Sequence, residues 1–136
     1  ARNEKLARAV AEAIQEVDQN LILVGLAGSA WISVGHEIGL RVAGEVFADR
    51  ALNPDGTLVP RSQPKAVIHE IKEVVARVLK IVTEGKAIAV NGEEVGVRGD
   101  TICLHGDTPG AVVLARTLRQ RLKAAGVTVV PMNTFL

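Results

Sequence analysis

The chain has 136 residues, enough for one domain with a reasonable core. Its 16 Lys and Arg nearly balance 15 Asp and Glu, a formal charge of +1, so bulk electrostatics does not fit it to a polyphosphate partner. Aromatics are only 2% (Trp31, Phe47 and Phe135), which leaves no stacking platform for single-stranded nucleic acid and hands the core to Val, Ile, Leu and Ala, as in parallel α/β sheets.

Leu6, Ala9, Val10, Ala13, Ile14 and Val17 recur at helical spacing and predict an amphipathic helix over 3–18. LILVG, 21–25, is a short apolar run and reads as a strand. Leu26 to Ser29 forms a loop, and a second helix follows over 30–40 with glycines at 35 and 39. VAGEVF, 42–47, is the next strand. A long loop, 48–64, contains the turn Asn53-Pro54-Asp55-Gly56. Val67, Ile68, Ile71, Val74, Val75, Val78, Leu79 and Val82 then predict a helix over 65–83, stopped by Gly85. KAIAV and EEVGV flank Asn91-Gly92, a strong hairpin signal assigned to stability. A strand over 101–105, a helix over 109–125 ended by Gly126, and a last strand VTVV, 127–130, complete the pattern. This alternation predicts an α/β fold with a parallel sheet in a single domain, 1–136.

Parallel α/β folds gather function at the carboxyl ends of their strands. Three such ends are legible: Gly25 to Ser29, Glu45 to Arg50, and His105 to Asp107. His105 can exchange a proton near neutrality, or it can bond a carbonyl as a structural group. Asp107, ahead of Thr108-Pro109, reads equally as a helix N-cap. Glu45 lies within a strand. Asp49-Arg50 is either a site pair or a surface ion pair, and Arg61 could grip an anion bidentately. His36 and His69 read as structural or surface residues. Cys103, alone in an apolar run, cannot form an internal disulfide, which is compatible with a reducing cytoplasm. No apolar run approaches the ~18 residues of a membrane span. There is no phosphate-binding glycine loop, no dinucleotide fingerprint and no zinc-ligand spacing of the histidines. ARNEKL carries no initiator Met and opens inside a helix, which suggests a fragment or processed chain.

Two long stretches, GEVFADRALNPDGTLVPR (44–61) and ICLHGDTPGAVVLAR (102–116), closely resemble two motifs of the LamB/YcsF family. LVGLAGS (23–29) resembles the family at the corresponding place. The resemblance runs along essentially the whole chain in order. It implies a (β/α) barrel of the TIM-like kind, related to the deacetylase-like barrels, of which this chain is about the carboxyl-terminal half. Family members are longer and begin with an Asp-Leu-Asn-Cys-Asp-like strand that has no counterpart here. Ligands in that portion cannot be carried over, so no metal site is assigned.

The resemblance also implies cytoplasmic, ATP-dependent opening of 5-oxo-L-proline to L-glutamate, with ATP as co-substrate, accompanied by Mg, and with partner subunits B and C. On that view His105 and Asp107 move protons, and Asp49 orients water or the ring N–H. Arg50, Arg61, Glu45, Gly28 and Ser29 are the substrate-binding candidates. Half a barrel leaves an unpaired strand edge and an uncovered apolar face, which predicts a homo-oligomer or pairing with the missing half. Two alternatives stand beside this: a non-catalytic oligomerising scaffold of the same fold, and a metal-dependent deacetylase-like hydrolase.

Overall fold

The computed structural model describes residues 2–107 and 109–136. The elements in order are α1 (Glu4–Val17), β1 (Ile22–Leu26), α2 (Ala30–Glu37), β2 (Arg41–Phe47), α3 (Ile71–Glu84), β3 (Lys86–Ile88), β4 (Glu94–Gly96), β5 (Thr101–Cys103) and α4 (Ala111–Ala124), with a short 3-10 turn at Met132–Thr134. Three strands share one sheet in the order β1-β2-β5, and β3 pairs with β4 in a separate sheet. β1 and β2 run parallel, with Ile22 opposite Arg41 and Leu26 opposite Glu45. The chain divides into two compact units.

The first unit comprises Ala1–Val46, Gly99–Thr101 and Pro131–Leu136. Asn3 caps α1, its side chain accepting from the Leu6 N–H at 3.0 Å. The helix buries Ala7 and Ala11 in a cluster with Leu23, Val34, Leu40 and Val42. The buried stripe is therefore rotated from the expected one: Leu6 and Val17 lie 54% and 80% exposed. Small side chains let α1 approach its neighbours closely, and the larger apolar residues on its flank stay outside.

α2 is shorter than expected and ends before Gly39, whose φ of 84° a side chain would resist. Gly35 sits in this helix because a Cβ there would stand 2.9 Å from Leu23 Cδ2 and 3.2 Å from Val42 Cγ2. Asp100 ties its segment to β2. Its carboxylate accepts from the Gly44 N–H at 2.8 Å, and its own N–H donates to the Gly44 carbonyl at 2.7 Å.

The second unit comprises Phe47–Arg98 and Ile102–Val130. Its core packs Val74, Val75 and Val78 of α3 against Leu114, Leu118 and Leu122 of α4, with Ala48 between. Each such side chain contributes about 1.5–3 kcal/mol by leaving water. The segment after β2 is not featureless. Arg50 forms an antiparallel bridge with Val67, Leu52 one with Leu58, and Ala51, Val59 and Ala66 make a small core of their own.

That pairing corrects the start of α3. Residues 65–70 carry helical periodicity, but the Ile68 N–H donates to the Asp49 carbonyl at 2.8 Å and Lys65 has a φ of 63°, so the helix begins only at Ile71. The Asn91-Gly92 hairpin forms as expected, with Ala87 opposite Val95, Asn91 Oδ1 accepting from the Glu93 N–H and Gly92 at φ 89°.

Two further expectations are corrected. VTVV joins no strand ladder among the described residues: Val127 packs on the α3–α4 core, while Val129 and Val130 remain exposed. The N-cap of α4 is Gly110, at φ 83° with no side-chain cap, so Asp107 does not cap this helix. Thr108 lies outside the described residues.

Candidate functional site

β2 ends at Phe47, and the Ala48 N–H then donates to the Cys103 carbonyl at 3.0 Å. This bond holds the exits of β2 and β5 side by side. Asp49 follows from one and His105 from the other. Although 56 positions apart, they meet: His105 Nδ1 lies 2.8 Å and 3.0 Å from the two Asp49 carboxylate oxygens. Asp49 is only 1% exposed, whereas the His105 side chain is 20% exposed.

A buried carboxylate facing Nδ1 accepts a hydrogen bond from it. The neutral ring is thereby held as the Nδ1–H tautomer, and Nε2 is left with its lone pair free to accept. Phe47 stacks on the imidazole with centroids 5.5 Å apart and planes inclined by 13°. The ring is thus fixed in direction by a carboxylate and in plane by an aromatic face. Such a unit can take a proton at Nε2 from water or another acid and return it, with the charge of the imidazolium balanced by Asp49.

Arg50, next to Asp49, is 7% exposed and directed into the loop. Its Nη2 donates to the Val59 carbonyl at 2.7 Å and its Nε to the Ala66 carbonyl at 3.3 Å. Burial pushes its guanidinium below the ordinary arginine range, the nearby charge of Arg61 adds to this, and Asp49 opposes it. Arg50 therefore ties the two sides of the 51–66 loop together. Arg61 is exposed on that loop.

Asp107 is exposed beyond His105, and the carboxylate on Nδ1 is that of Asp49. Glu45, Gly28 and Ser29 belong to the other unit. Glu45 is half-buried in β2, and its carbonyl accepts from the Ala27 N–H at 2.9 Å. Gly28 turns the chain at φ 73°. Ser29 stands at the N-cap position of α2, but its buried hydroxyl has no partner among the described residues. Among those residues no group of three or more His, Cys, Asp and Glu side chains gathers as a metal-ligand set. Among the described residues no helix is long and apolar enough to cross a membrane.

Phe47 is the site residue that sequence reading missed. It counted only as an apolar strand residue, and its position two residues before Asp49 inside GEVFADR is the single signal that could have marked it.

Both halves of the Asp49–His105 pair fall in the two long stretches singled out above, and the model of the LamB/YcsF family matches residues 1–136. The chain belongs to the LamB/YcsF family. It is 51% identical over 135 residues to the A subunit of 5-oxoprolinase from Pyrococcus furiosus, an alignment covering 99% of this chain and 53% of that protein. The A subunit of 5-oxoprolinase from Alkaliphilus metalliredigens is 58% identical over 76 residues, 56% of this chain and 30% of its own length. The crystal structure of a lactam utilization protein from Thermus thermophilus superposes with a TM-score of 0.84 at 42% identity, covering 94% of this chain and 51% of that one. The chain thus spans about half the length of the LamB/YcsF relatives it matches.

Proposed function

We propose that this chain supplies the proton-transfer unit of an ATP-dependent 5-oxoprolinase, which opens 5-oxo-L-proline to L-glutamate. The observation that carries this reading is the two-oxygen contact of buried Asp49 with His105 Nδ1. Relatives that bear the name of the 5-oxoprolinase A subunit support the substrate.

A lactam resists water because its nitrogen lone pair is shared with the carbonyl. Transfer of the γ-phosphoryl group of ATP to the lactam oxygen releases ADP and makes the ring carbon electrophilic. Water then adds to that carbon, giving up a proton to His105 Nε2. The tetrahedral adduct expels the ring nitrogen, which receives that proton. A second water hydrolyses the resulting acyl phosphate to glutamate and phosphate. Asp49 holds the ring tautomer and balances the imidazolium; Asp107, at the open end of the same segment, is a second proton carrier. Arg61 is exposed and available to the substrate carboxylate or a phosphoryl group, and Arg50 positions its loop. Mg accompanies ATP.

On this reading the single α/β domain is the carboxyl-terminal half of a (β/α) barrel. An amino-terminal portion and partner subunits B and C complete the cytoplasmic enzyme, with the chain self-associating in their absence. The test is reconstitution of the chain with those components. Glutamate should form with ADP in a 5-oxoproline-dependent manner, and His105→Ala should slow it by ~10²–10⁴-fold. Turnover unchanged by His105→Ala in a folded complex would remove the dyad from the mechanism.

A further inference from the structure

We propose that a cavity in the second unit, walled by α3 and the β3–β4 hairpin, binds a small organic carboxylate on a compact apolar frame, with Arg77 as its anchor. The cavity has a volume of about 400 Å³, within the ~300–1,000 Å³ of small-molecule sites. Ala76 and residues 87–90 give it alkyl walls, and Lys65, Glu73, Arg77 and Lys80 supply its charges.

These charges are not equivalent. Lys80 is already committed to Glu84 at 2.9 Å and Glu94 at 2.8 Å. Glu73 favours the charged form of Arg77 from beyond ion-pair distance, so Lys65 and Arg77 together keep one positive charge in excess. Arg77 is left under-compensated. A guanidinium carries five N–H donors, yet Arg77 reaches one carbonyl, that of Ile88, at 3.3 Å. Its Nε is buried without a partner, and no carboxylate stands within ion-pair distance of it among the described residues. Burial pushes this guanidinium below the ordinary arginine range, with Glu73 opposing. An anion would satisfy this buried donor. Lys65, also on the wall, holds a φ of 63°, and residues kept in such costly conformations gather at ligand clamps.

A carboxylate suits one guanidinium fork, whose N–H pair matches two oxygens. A doubly charged phosphoryl group carries more charge than Lys65 and Arg77, set against Glu73, compensate, and the remaining wall is hydrocarbon. The cavity also includes Ala51 and Ile68, and the Ile68 N–H donates to the Asp49 carbonyl, so occupancy would bear on the loop that carries the dyad. Binding at Arg77 is independent of the dyad's chemistry.

The test is a titration of the purified chain, followed by amide NMR, with cyclopentanecarboxylate, its neutral carboxamide and inorganic phosphate. The acid should shift Ala76, Ala87 and Ala89 saturably, and the carboxamide should not. Arg77→Met should weaken the acid at least tenfold with the fold retained. Should that variant unfold, Lys65→Met serves as the second, with weakening of the acid expected. His105→Ala should bind as the parent chain does, so a failed dyad and a failed cavity are distinguishable. Absence of saturation, equal binding of the carboxamide, phosphate competing as tightly as the acid, or affinity indifferent to the substitutions would overturn the proposal.

Discussion

Asp49→Asn keeps the volume of a side chain that is 1% exposed and removes only its charge. In the parent chain both carboxylate oxygens face Nδ1, at 2.8 Å and 3.0 Å, so the ring must present a proton there. An amide offers either an oxygen, which keeps that tautomer, or an NH₂ group, which demands the lone pair at Nδ1 and moves the proton to Nε2. Hydrogen bonds to a charged acceptor contribute about 1.5–3 kcal/mol and neutral ones about 0.5–1.5 kcal/mol. The substitution therefore removes on the order of 1–2 kcal/mol of tautomer preference, a ~5–30-fold change in the ratio. Long-range ¹⁵N–¹H correlation of the His105 ring, at a pH where it is neutral, reads this directly. The parent chain should show predominantly Nδ1–H, and Asp49→Asn should show a mixture shifted toward Nε2–H. Identical tautomer ratios in the two proteins would refute the claim that Asp49 sets the proton's position, and with it the role of Nε2 as a base.

Arg50→Met leaves the Val59 carbonyl without its side-chain donor, while the Ala66 carbonyl keeps the Ala51 N–H, and should cost about 1–3 kcal/mol by denaturant unfolding, with hydrogen exchange accelerated first in residues 51–68; uniform exchange across the unit would contradict the loop-closing role. Gly35→Ala puts a methyl 2.9 Å from Leu23 Cδ2 and should lower stability by about 1–3 kcal/mol, read as a drop in Tm. Glu94 accepts from Lys80 and then Lys86, which hold its carboxyl down to about 2 from 4.5. Because the folded value lies below the unfolded one, its support of the hairpin is full above about 4.5 and is lost as pH falls through about 2. A ¹³C titration of the Glu94 carboxyl should show this low midpoint, raised by Lys80→Met and by added salt; an ordinary midpoint in the parent chain would dispose of the pairing. Phe47→Leu should preserve the Asp49 contact yet broaden the His105 ring signals, since the flat face that fixes the imidazole plane is gone; unchanged line widths would show that the stacking does not restrain it.

The local elements were legible wherever a residue's own chemistry decided them. Asn91-Gly92 could only turn tightly, and Gly85 stopped α3 at φ 67°. The misreadings share one cause. Residues 65–70 have helical spacing but are drawn into extended pairing by Arg50 and Asp49, and VTVV has strand composition but finds no ladder to join among the described residues. Hydrogen bonding to distant partners outweighs periodicity over such short spans.

The candidate site divides the same way. The sequence by itself determined that Asp49 and His105 stand at strand exits, because apolar runs end at Phe47 and Leu104 and polar residues begin there. It could not state that the two touch, that Asp107 does not take the N-cap position of α4, or that Arg50 turns inward to two carbonyls. Those outcomes were decided by tertiary structure alone, since the pairing of β2 with β5 fixes distances between residues 56 positions apart. A chain's order carries the identity of each group and its local geometry; only the packed sheet sets which groups share a few ångströms.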